Sequence, residues 1–289
     1  MKMQEEYIKK AEIITEALPY ISRYSGKTVL IKYGGNAMND EHVLKTILQD
    51  IATLKMAGVN PVLVHGGGPE INAQLEKHGI KSEFKNGLRV TSRDAMEVVQ
   101  MALAGKMNKN IVAMLNGFGV KAVGLCGFDA GLIEAEKLMS ADGADYGYVG
   151  KVKKVNCAVL HALLDDYVPV IASVGVGADG TGYNINADIA AGAIGGSLGA
   201  ERLLFLTDVD GIRLNEKDPS TLISTISVKE IEKMVKDGRI AGGMLPKVDA
   251  CMQAIKMGVS NVLIINGTVK HSILLELFTN KGAGTMVVA

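Results

Sequence analysis

Residues 28–36 read Thr-Val-Leu-Ile-Lys-Tyr-Gly-Gly-Asn, a short apolar run that stops on two adjacent glycines. Glu41–Ala57 follows as a helical stretch, and Pro61-Val-Leu-Val-His65 then stops on Gly66-Gly67-Gly68-Pro69. An apolar run without polar alternation is a strand covered on both faces, and such strands belong to parallel sheets. Parallel neighbours cannot be joined by a tight turn, so a helix must carry the chain back between them. The stretch from Thr28 to Pro69 therefore predicts an α/β fold, with a mostly parallel sheet covered by helices on both faces.

The rest of the chain extends this pattern. Further strands are expected at Lys121–Cys126, Val168–Ser173, Leu203–Thr207, Val262–Asn266 and Thr285–Val288. Helices are expected at Pro69–His78, Ser92–Asn116, Cys157–Asp166, Asn186–Leu198, Val228–Lys236, Lys247–Met257 and His271–Thr279. Leu132–Ala135 and Tyr148–Val155 read as additional strands, a hairpin on the sheet edge. Gly195–Gly199 marks a boundary between two halves of one sheet, residues 23–195 and 196–289. Residues 1–22 precede them as a separate helix. It carries Tyr7, Ala11, Ile14 and Leu18 on one apolar stripe, and Pro19 is expected to end or kink it. So thin a stripe either docks on its own domain or reaches another subunit.

In an open parallel sheet, ligands bind beyond the carboxyl ends of the strands. Lys32-Tyr-Gly34-Gly35, His65-Gly66-Gly67-Gly68, Gly175-Val-Gly177 and Thr207-Asp208-Val209-Asp210-Gly211 all fall there. Glycines at so many strand ends on one rim point to a ligand that the backbone approaches closely. Composition agrees, since Gly makes up 34 of 289 residues, about 12% against a usual ~7%.

The charge balance excludes other classes. Lys+Arg and Asp+Glu each total 31, so there is no electrostatic footprint for nucleic acid or an anionic membrane. No uncharged apolar run reaches the ~18 residues of a spanning helix. An apolar fraction of 48% with 21% charged residues excludes a disordered chain. Cys126, Cys157 and Cys251 are too few and odd in number for a disulfide framework, and fit a reducing compartment. No apolar signal core follows the charged N-terminus, so a cytoplasmic location is expected.

Familiar motifs fail on inspection. Gly26-Lys27-Thr28 looks like the end of a Walker A loop, but position 21 is Ile where that loop needs Gly, and the segment precedes a strand. Gly175-Val-Gly177-Ala-Asp179-Gly180 matches a dinucleotide fingerprint. Asp179 would then set a carboxylate beside a pyrophosphate, and the next helix starts too late to meet it. There is no His-Glu-x-x-His or Cys-x-x-Cys. His65 reads as a hydrogen-bonded structural histidine.

What remains is a set of cations among glycines and caps. Lys32 sits at a strand end where folding needs no lysine. Lys247 follows Gly242-Gly243-Met244-Leu-Pro246 at a helix start, where a cation opposes the helix dipole unless an anion lies between them. A solvated lysine is the alternative. Asn184-Ile-Asn186-Ala-Asp188 opens a helix, with either asparagine as cap and Asp188 suited to the dipole. Arg89, in Asn86-Gly-Leu-Arg89-Val-Thr91, precedes a helix that Ser92 can cap, in the position of a carboxylate or phosphate clamp. A plain surface arginine is the alternative there.

Six motifs, in order, carry a resemblance: Lys32-Tyr-Gly-Gly-Asn-Ala-Met, His65-Gly-Gly-Gly-Pro, Asn86-Gly-Leu-Arg-Val-Thr, Tyr183-Asn-Ile-Asn-Ala-Asp, Leu206-Thr-Asp-Val-Asp-Gly and Gly242-Gly-Met-Leu-Pro-Lys. Together they resemble the amino acid kinase family, and most closely its acetylglutamate kinase branch, from about Thr28 to the C-terminus. The resemblance implies a three-layer αβα sandwich around a mostly parallel sheet of about eight strands. It implies an amino half that binds N-acetyl-L-glutamate and a carboxyl half that binds ATP, with Mg2+ held mainly by the nucleotide. Carried over by position, Lys32 and Lys247 would flank the transferring phosphoryl group, and Asp188 would hold both lysines. Gly34, Gly35 and Gly67 would offer it backbone N–H groups. Gly67, Gly68, Arg89 and Asn184 would bind the amino acid. Thr207, Asp208, Val209, Asp210 and Gly211, with Gly243 and Met244, would line the nucleotide site.

The nucleophile would be the substrate's side-chain carboxylate. A carboxyl of this kind ordinarily titrates near ~4.3 and is ionised at neutral pH, so no general base is needed. The product would be an acyl phosphate. In the arginine-inhibited members, a similar N-terminal arm interlaces three dimers into a ring. Arginine binds there near the arm and the C-terminal segment, where His271 and Gly282–Gly284 fall in this chain. A homo-oligomer, dimer or hexamer, with L-arginine as feedback inhibitor is therefore expected. The alternative is a sensor of the same fold that binds amino acid and nucleotide without turnover. Retention of Lys32, Asp188 and Lys247 argues against it.

Overall fold

The computed structural model describes residues 2–34, 40–139, 143–215, 218–280 and 282–289. In its first half the chain runs α1 (Lys2–Tyr24), β1 (Thr28–Tyr33), α2 (Glu41–Met56), β2 (Asn60–His65), α3 (Gly68–Lys77), β3 (Glu83–Lys85), β4 (Leu88–Val90) and α4 (Arg93–Gln100). A π-helix (Met101–Met107) leads into α5 (Asn108–Gly117), β5 (Ala122–Leu125), β6 (Ile133–Met139), β7 (Asp145–Val155) and α6 (Ala158–Leu163). Then come β8 (Val168–Ala172), β9 (Val174–Val176), β10 (Gly182–Ile185), α7 (Ala187–Leu198) and β11 (Arg202–Thr207). The chain ends with β12 (Thr225–Ser227), α8 (Val228–Lys236), α9 (Leu245–Lys256), β13 (Asn261–Asn266), α10 (Ser272–Phe278) and β14 (Thr285–Val288).

Eight strands form the central sheet in the order β12-β14-β13-β11-β1-β2-β8-β5, parallel throughout except where β13 meets β14. Alternation along each strand serves two cores. Val29, Ile31, Leu63, Leu204 and Leu206 pack with α2, α5 and α10 on one face. Leu30, Val62, Val64, Leu203 and Phe205 pack with α6, α7, α8 and α9 on the other. The fold is thus the expected three-layer αβα sandwich. No helix is long and apolar enough to cross a membrane among the described residues.

Several local expectations are corrected. Ile133–Met139 and Asp145–Val155 do pair as a hairpin, but not on the edge of the main sheet. With β9 and β10 they close into a separate four-stranded barrel. The strand expected over Val168–Ser173 therefore breaks at Ser173, where the chain leaves the sheet for this barrel as β9. The helix expected over Ser92–Asn116 is three segments, with the π-helix between α4 and α5. Pro19 does not end α1, which continues to Tyr24. Proline removes one helical N–H bond, and on an exposed helix water can solvate the carbonyl that this frees.

Two helix starts are brought together by glycines. A Cβ at Gly192 would press on Ala254, and one at Gly196 would collide with the Met257 carbonyl, so α7 and α9 can pack closely only without side chains there. Asp188 stands in the first turn of α7 and Lys247 near the start of α9. The close packing sets both on the rim where β1, β2 and β11 end.

Candidate active site

A cleft of ≈ 280 Å³ lies on this rim, and Lys32, Gly34, Asp188, Thr207, Asp208 and Lys247 are among its lining residues. Lys32 leaves β1 and folds over Gly34, whose missing side chain makes room for it: a Cβ there would sit 2.8 Å from Nζ. Its ammonium meets Asp188 Oδ1 at 2.7 Å. Asp188 is aimed by the α7 cap. The Asn186 side chain accepts from the Asp188 and Ile189 N–H groups, at 2.8 and 3.2 Å. Of the two candidate caps, the structure uses Asn186. The carboxylate also suits the positive end of the helix dipole.

Lys247 differs from expectation. Its ion pair is with Asp208 Oδ1 at 3.1 Å, whereas Asp188 pairs with Lys32. The anion that relieves a lysine at a helix start is therefore supplied from the end of β11. Asp188 and Asp208 each steady one lysine on opposite sides of one cleft.

A second hollow, ≈ 220 Å³, shares Lys32, Gly34 and Asp188 with the first and is completed by Gly66, Gly67, Gly68, Arg89 and Asn184. Arg89 lies on β4 and is only 7% exposed. Its guanidinium donates to the Ser82 hydroxyl and to the Gly68 carbonyl, and lies 4.6 Å from the centre of the Phe84 ring. Burial pulls its pKa down. Among the described residues no carboxylate forms an ion pair with it. A buried cation held by neutral groups favours an anionic guest. Asn184 donates to the Thr91 hydroxyl at 3.2 Å. Ser92 caps α4 by accepting from the Ala95 N–H.

A third hollow, ≈ 270 Å³, opens from the cleft at Asp208 and is lined by Val209, Asp210, Gly211, Arg213, Met244 and Asn266, among others. Asp210 binds Arg213 at 2.6 Å and accepts from Asn266 at 2.8 Å, and these partners hold its carboxyl below the usual range. Thr207 receives the Val209 N–H on its hydroxyl, which turns the chain along this wall. Gly243 lines the central cleft. Gly35 lies outside the described residues.

The dinucleotide-like segment has a structural role. Gly175 and Val176 end β9, and Gly177–Thr181 is the turn to antiparallel β10, closed by Gly177 N–H to the Thr181 carbonyl at 2.8 Å. His65 is fully buried, and burial drives its pKa down to about 4. Sequence reasoning missed Ser82 and Phe84, which brace Arg89, and the Asp208–Lys247 pair. Asn86–Gly87, with φ of 51° and 77°, is the tight turn joining β3 to β4. An Asn-Gly pair is the signal that could have revealed that hairpin. Among the described residues no cluster of three His, Cys, Asp or Glu side chains is arranged to hold a metal ion.

Comparison with known proteins meets this geometry. The family model of the amino acid kinase family matches residues 27–266. The acetylglutamate kinase of Caldicellulosiruptor saccharolyticus is 51% identical over 287 residues, covering 98% of both chains. That of Heliobacterium modesticaldum is 51% identical over 290 residues, covering 97% of this chain and 98% of its own. Among solved structures, N-acetylglutamate synthase from Neisseria gonorrhoeae with coenzyme A and N-acetyl-glutamate superposes with a TM-score of 0.84 at 28% identity. It covers 96% of this chain, which spans 63% of that synthase. The same synthase with coenzyme A and L-arginine superposes at 0.79, with 26% identity, 96% of this chain and 65% of its own. Carbamate kinase from Giardia lamblia bound to AMP-PNP shares the fold, with a TM-score of 0.63 at 21% identity over 91% of this chain and 98% of its own. On this frame and these matches, the chain belongs to the amino acid kinase family, in its acetylglutamate kinase branch.

Proposed function

We propose that this chain transfers the terminal phosphoryl group of ATP to the side-chain carboxylate of N-acetyl-L-glutamate, a step of arginine biosynthesis that yields an acyl phosphate. The observation that carries the reading is Arg89, a buried guanidinium without a carboxylate ion-pair partner among the described residues, in a hollow that opens onto the cleft of Lys32 and Lys247. Residues 23–195 would form the amino-acid lobe and 196–289 the nucleotide lobe of one continuous sheet.

The third hollow fits a nucleotide. Asp210, Arg213 and Asn266 offer polar groups for a ribose, and Ile240 and Met244 offer an apolar wall for a base. Its opening at Asp208 leads toward the lysines, where phosphates need cations. ATP with Mg2+ supplies the phosphoryl group when bound.

The obstacle is the approach of two anions. Arg89 holds the substrate carboxylate that does not react, with the fork geometry that lysine lacks. Lys32 and Lys247 offset the charge on the reacting oxygens, and the Gly34 and Gly67 N–H groups add fixed donors, so the donors need no reorganisation during transfer. No base is required, because the reacting carboxylate is ionised at neutral pH.

ADP release measured over N-acetylglutamate, glutamate, aspartate, carbamate and UMP tests the reading. Acetylglutamate should be turned over far faster than the others. Faster turnover of carbamate or UMP would overturn it. Binding of acetylglutamate and ATP without ADP release would mark the non-catalytic sensor.

Regulation by L-arginine in a hexamer completes the proposal. The exposed apolar stripe of α1 supports an arm that reaches a neighbouring subunit. The C-terminal segment supports a site for a cation: the Glu276 carboxylate accepts from the Ala283 and Gly284 N–H groups at 2.5 and 3.1 Å, and His271 lies at the start of the same helix.

A further inference from the structure

Asn108 is 1% exposed and follows directly on the π-helix. Its side-chain amide donates to the Val170 carbonyl at 2.9 Å, and its oxygen receives the Lys109 ammonium at 3.2 Å, which fixes which end is nitrogen. The same Nδ2 faces His65 Nε2 at 3.2 Å. An amide nitrogen can only donate, so Nε2 is the accepting nitrogen and the imidazole proton sits on Nδ1. Nδ1 lies 2.9 Å from the Gly66 carbonyl, so it donates there. Gly124 leaves room for the arrangement, because a Cβ at that position would collide with Asn108 Oδ1.

The Gly66 carbonyl and the Gly67 N–H belong to one planar trans peptide, in which the two point in opposite directions. Tying the carbonyl down to buried His65 turns the Gly67 N–H the other way, and Gly66, Gly67 and Gly68 line the hollow. Gly67 is pressed from behind by the π-helix. A Cβ there would collide with Met107 Sδ and Leu103 Cδ2.

We propose that Asn108 and His65 are positioning residues for phosphoryl transfer, a relay that holds the Gly66–Gly67 peptide plane so that its N–H faces the reacting groups. The proposal rests on the kinase reading of the cleft. Asn108 acts on His65, His65 on the peptide, and the peptide N–H on the transferred group.

Two substitutions of similar polarity separate this from a merely structural role. In His65→Asn the amide nitrogen can occupy the place of Nδ1 and still donate to Gly66. In His65→Gln the amide reaches the place of Nε2, keeps Asn108 and loses Gly66. His65→Gln should lower kcat by about 10²-fold, the scale of a small misplacement of reacting groups, with KM for ATP unchanged. His65→Asn should keep most of kcat. Asn108→Ser should also lower kcat, and the double variant Asn108→Ser with His65→Gln should lose no more than His65→Gln alone, since the two act in series. Thermal denaturation of each variant records its folding separately from its rate. Equal losses in His65→Asn and His65→Gln, or losses that multiply in the double variant, would overturn the relay. Absence of turnover in the unsubstituted protein would sink the kinase reading itself, and the relay with it.

Discussion

At the scale of single residues, the site works by placing charges where folding alone would not. Arg89 is buried against Ser82, Phe84 and the Gly68 carbonyl, and only an anion completes its surroundings. Arg89→Lys keeps the charge and loses the planar fork. It should raise KM for acetylglutamate by about 10- to 100-fold, the scale of one charge-assisted hydrogen bond, and leave KM for ATP nearly unchanged. Steady-state kinetics with each substrate varied would check this, and equal effects on both would refute the assignment. His65 makes a prediction about pH. Its pKa is about 4 in the fold, because burial disfavours the imidazolium, against an ordinary value of 6.5. Between those values the unfolded chain binds a proton that the folded chain does not, so the stability is complete above pH 6.5 and lost as pH falls toward 4. The contribution is about 3 kcal/mol. Urea titrations at pH 7 and pH 4.5 should show the drop, and His65→Asn should remove most of it.

Elements turn those residues into a site, and helix caps do much of the aiming. Asn186 caps α7 and holds the Asp188 N–H, and through Asp188 it steadies Lys32. Asn186→Ala should cost about 1 kcal/mol of stability and lower kcat as well. Ser92→Ala removes the comparable cap of α4 at a similar cost of about 1 kcal/mol but leaves the Lys32–Asp188 pair intact. Its kcat should fall much less, and equal falls would mean general loosening. The central strands were legible because a strand buried on both faces is a bare apolar run, and β1, β2, β8, β11 and β13 are such runs. β12 has only three residues and β3 none that are buried, so neither leaves a pattern. The π-helix was invisible because its apolar residues continue the helical spacing, and only the hydrogen-bond step changes. In the site, the cations and glycines could be read from their places at strand ends and helix starts. Their partners could not. Asp208 and Lys247 are distant in sequence, as are His65 and Asn108, and nothing in a linear pattern sets one beside the other.

At the scale of the whole molecule, α1 is the part that one chain leaves incomplete. Tyr7 is 64% exposed, Ile14 62% and Leu18 52%, so the stripe does not dock on its own domain. Helices in proteins draw most of their stability from packing an apolar face, and exposed apolar area disfavours this one by about 25 cal/mol per Å². The base of the arm is anchored. Tyr24 is buried, with the guanidinium of Arg202 6.0 Å from its ring centre and that of Arg23 5.7 Å away. Burial raises the pKa of Glu276, and the Ala283 and Gly284 N–H groups that its carboxylate accepts from, with the nearby charge of Arg202, offset this only in part. A physical chain thus runs from the arm through Tyr24 and Arg202 to the C-terminal segment. A guanidinium ligand settling beside Glu276 would repel the Arg202 guanidinium, which pairs with Glu201 at 3.8 Å, and so act on the base of the arm. For arginine to inhibit, it must bind more tightly to a less active arrangement than to the active one. Deleting residues 1–22 should therefore leave an active dimer whose response to arginine is weakened, while acetylglutamate kinetics without arginine change little. Light scattering would give the assembly and an arginine titration the inhibition. A hexamer that persists with unchanged inhibition would show that the arm neither joins subunits nor carries the signal.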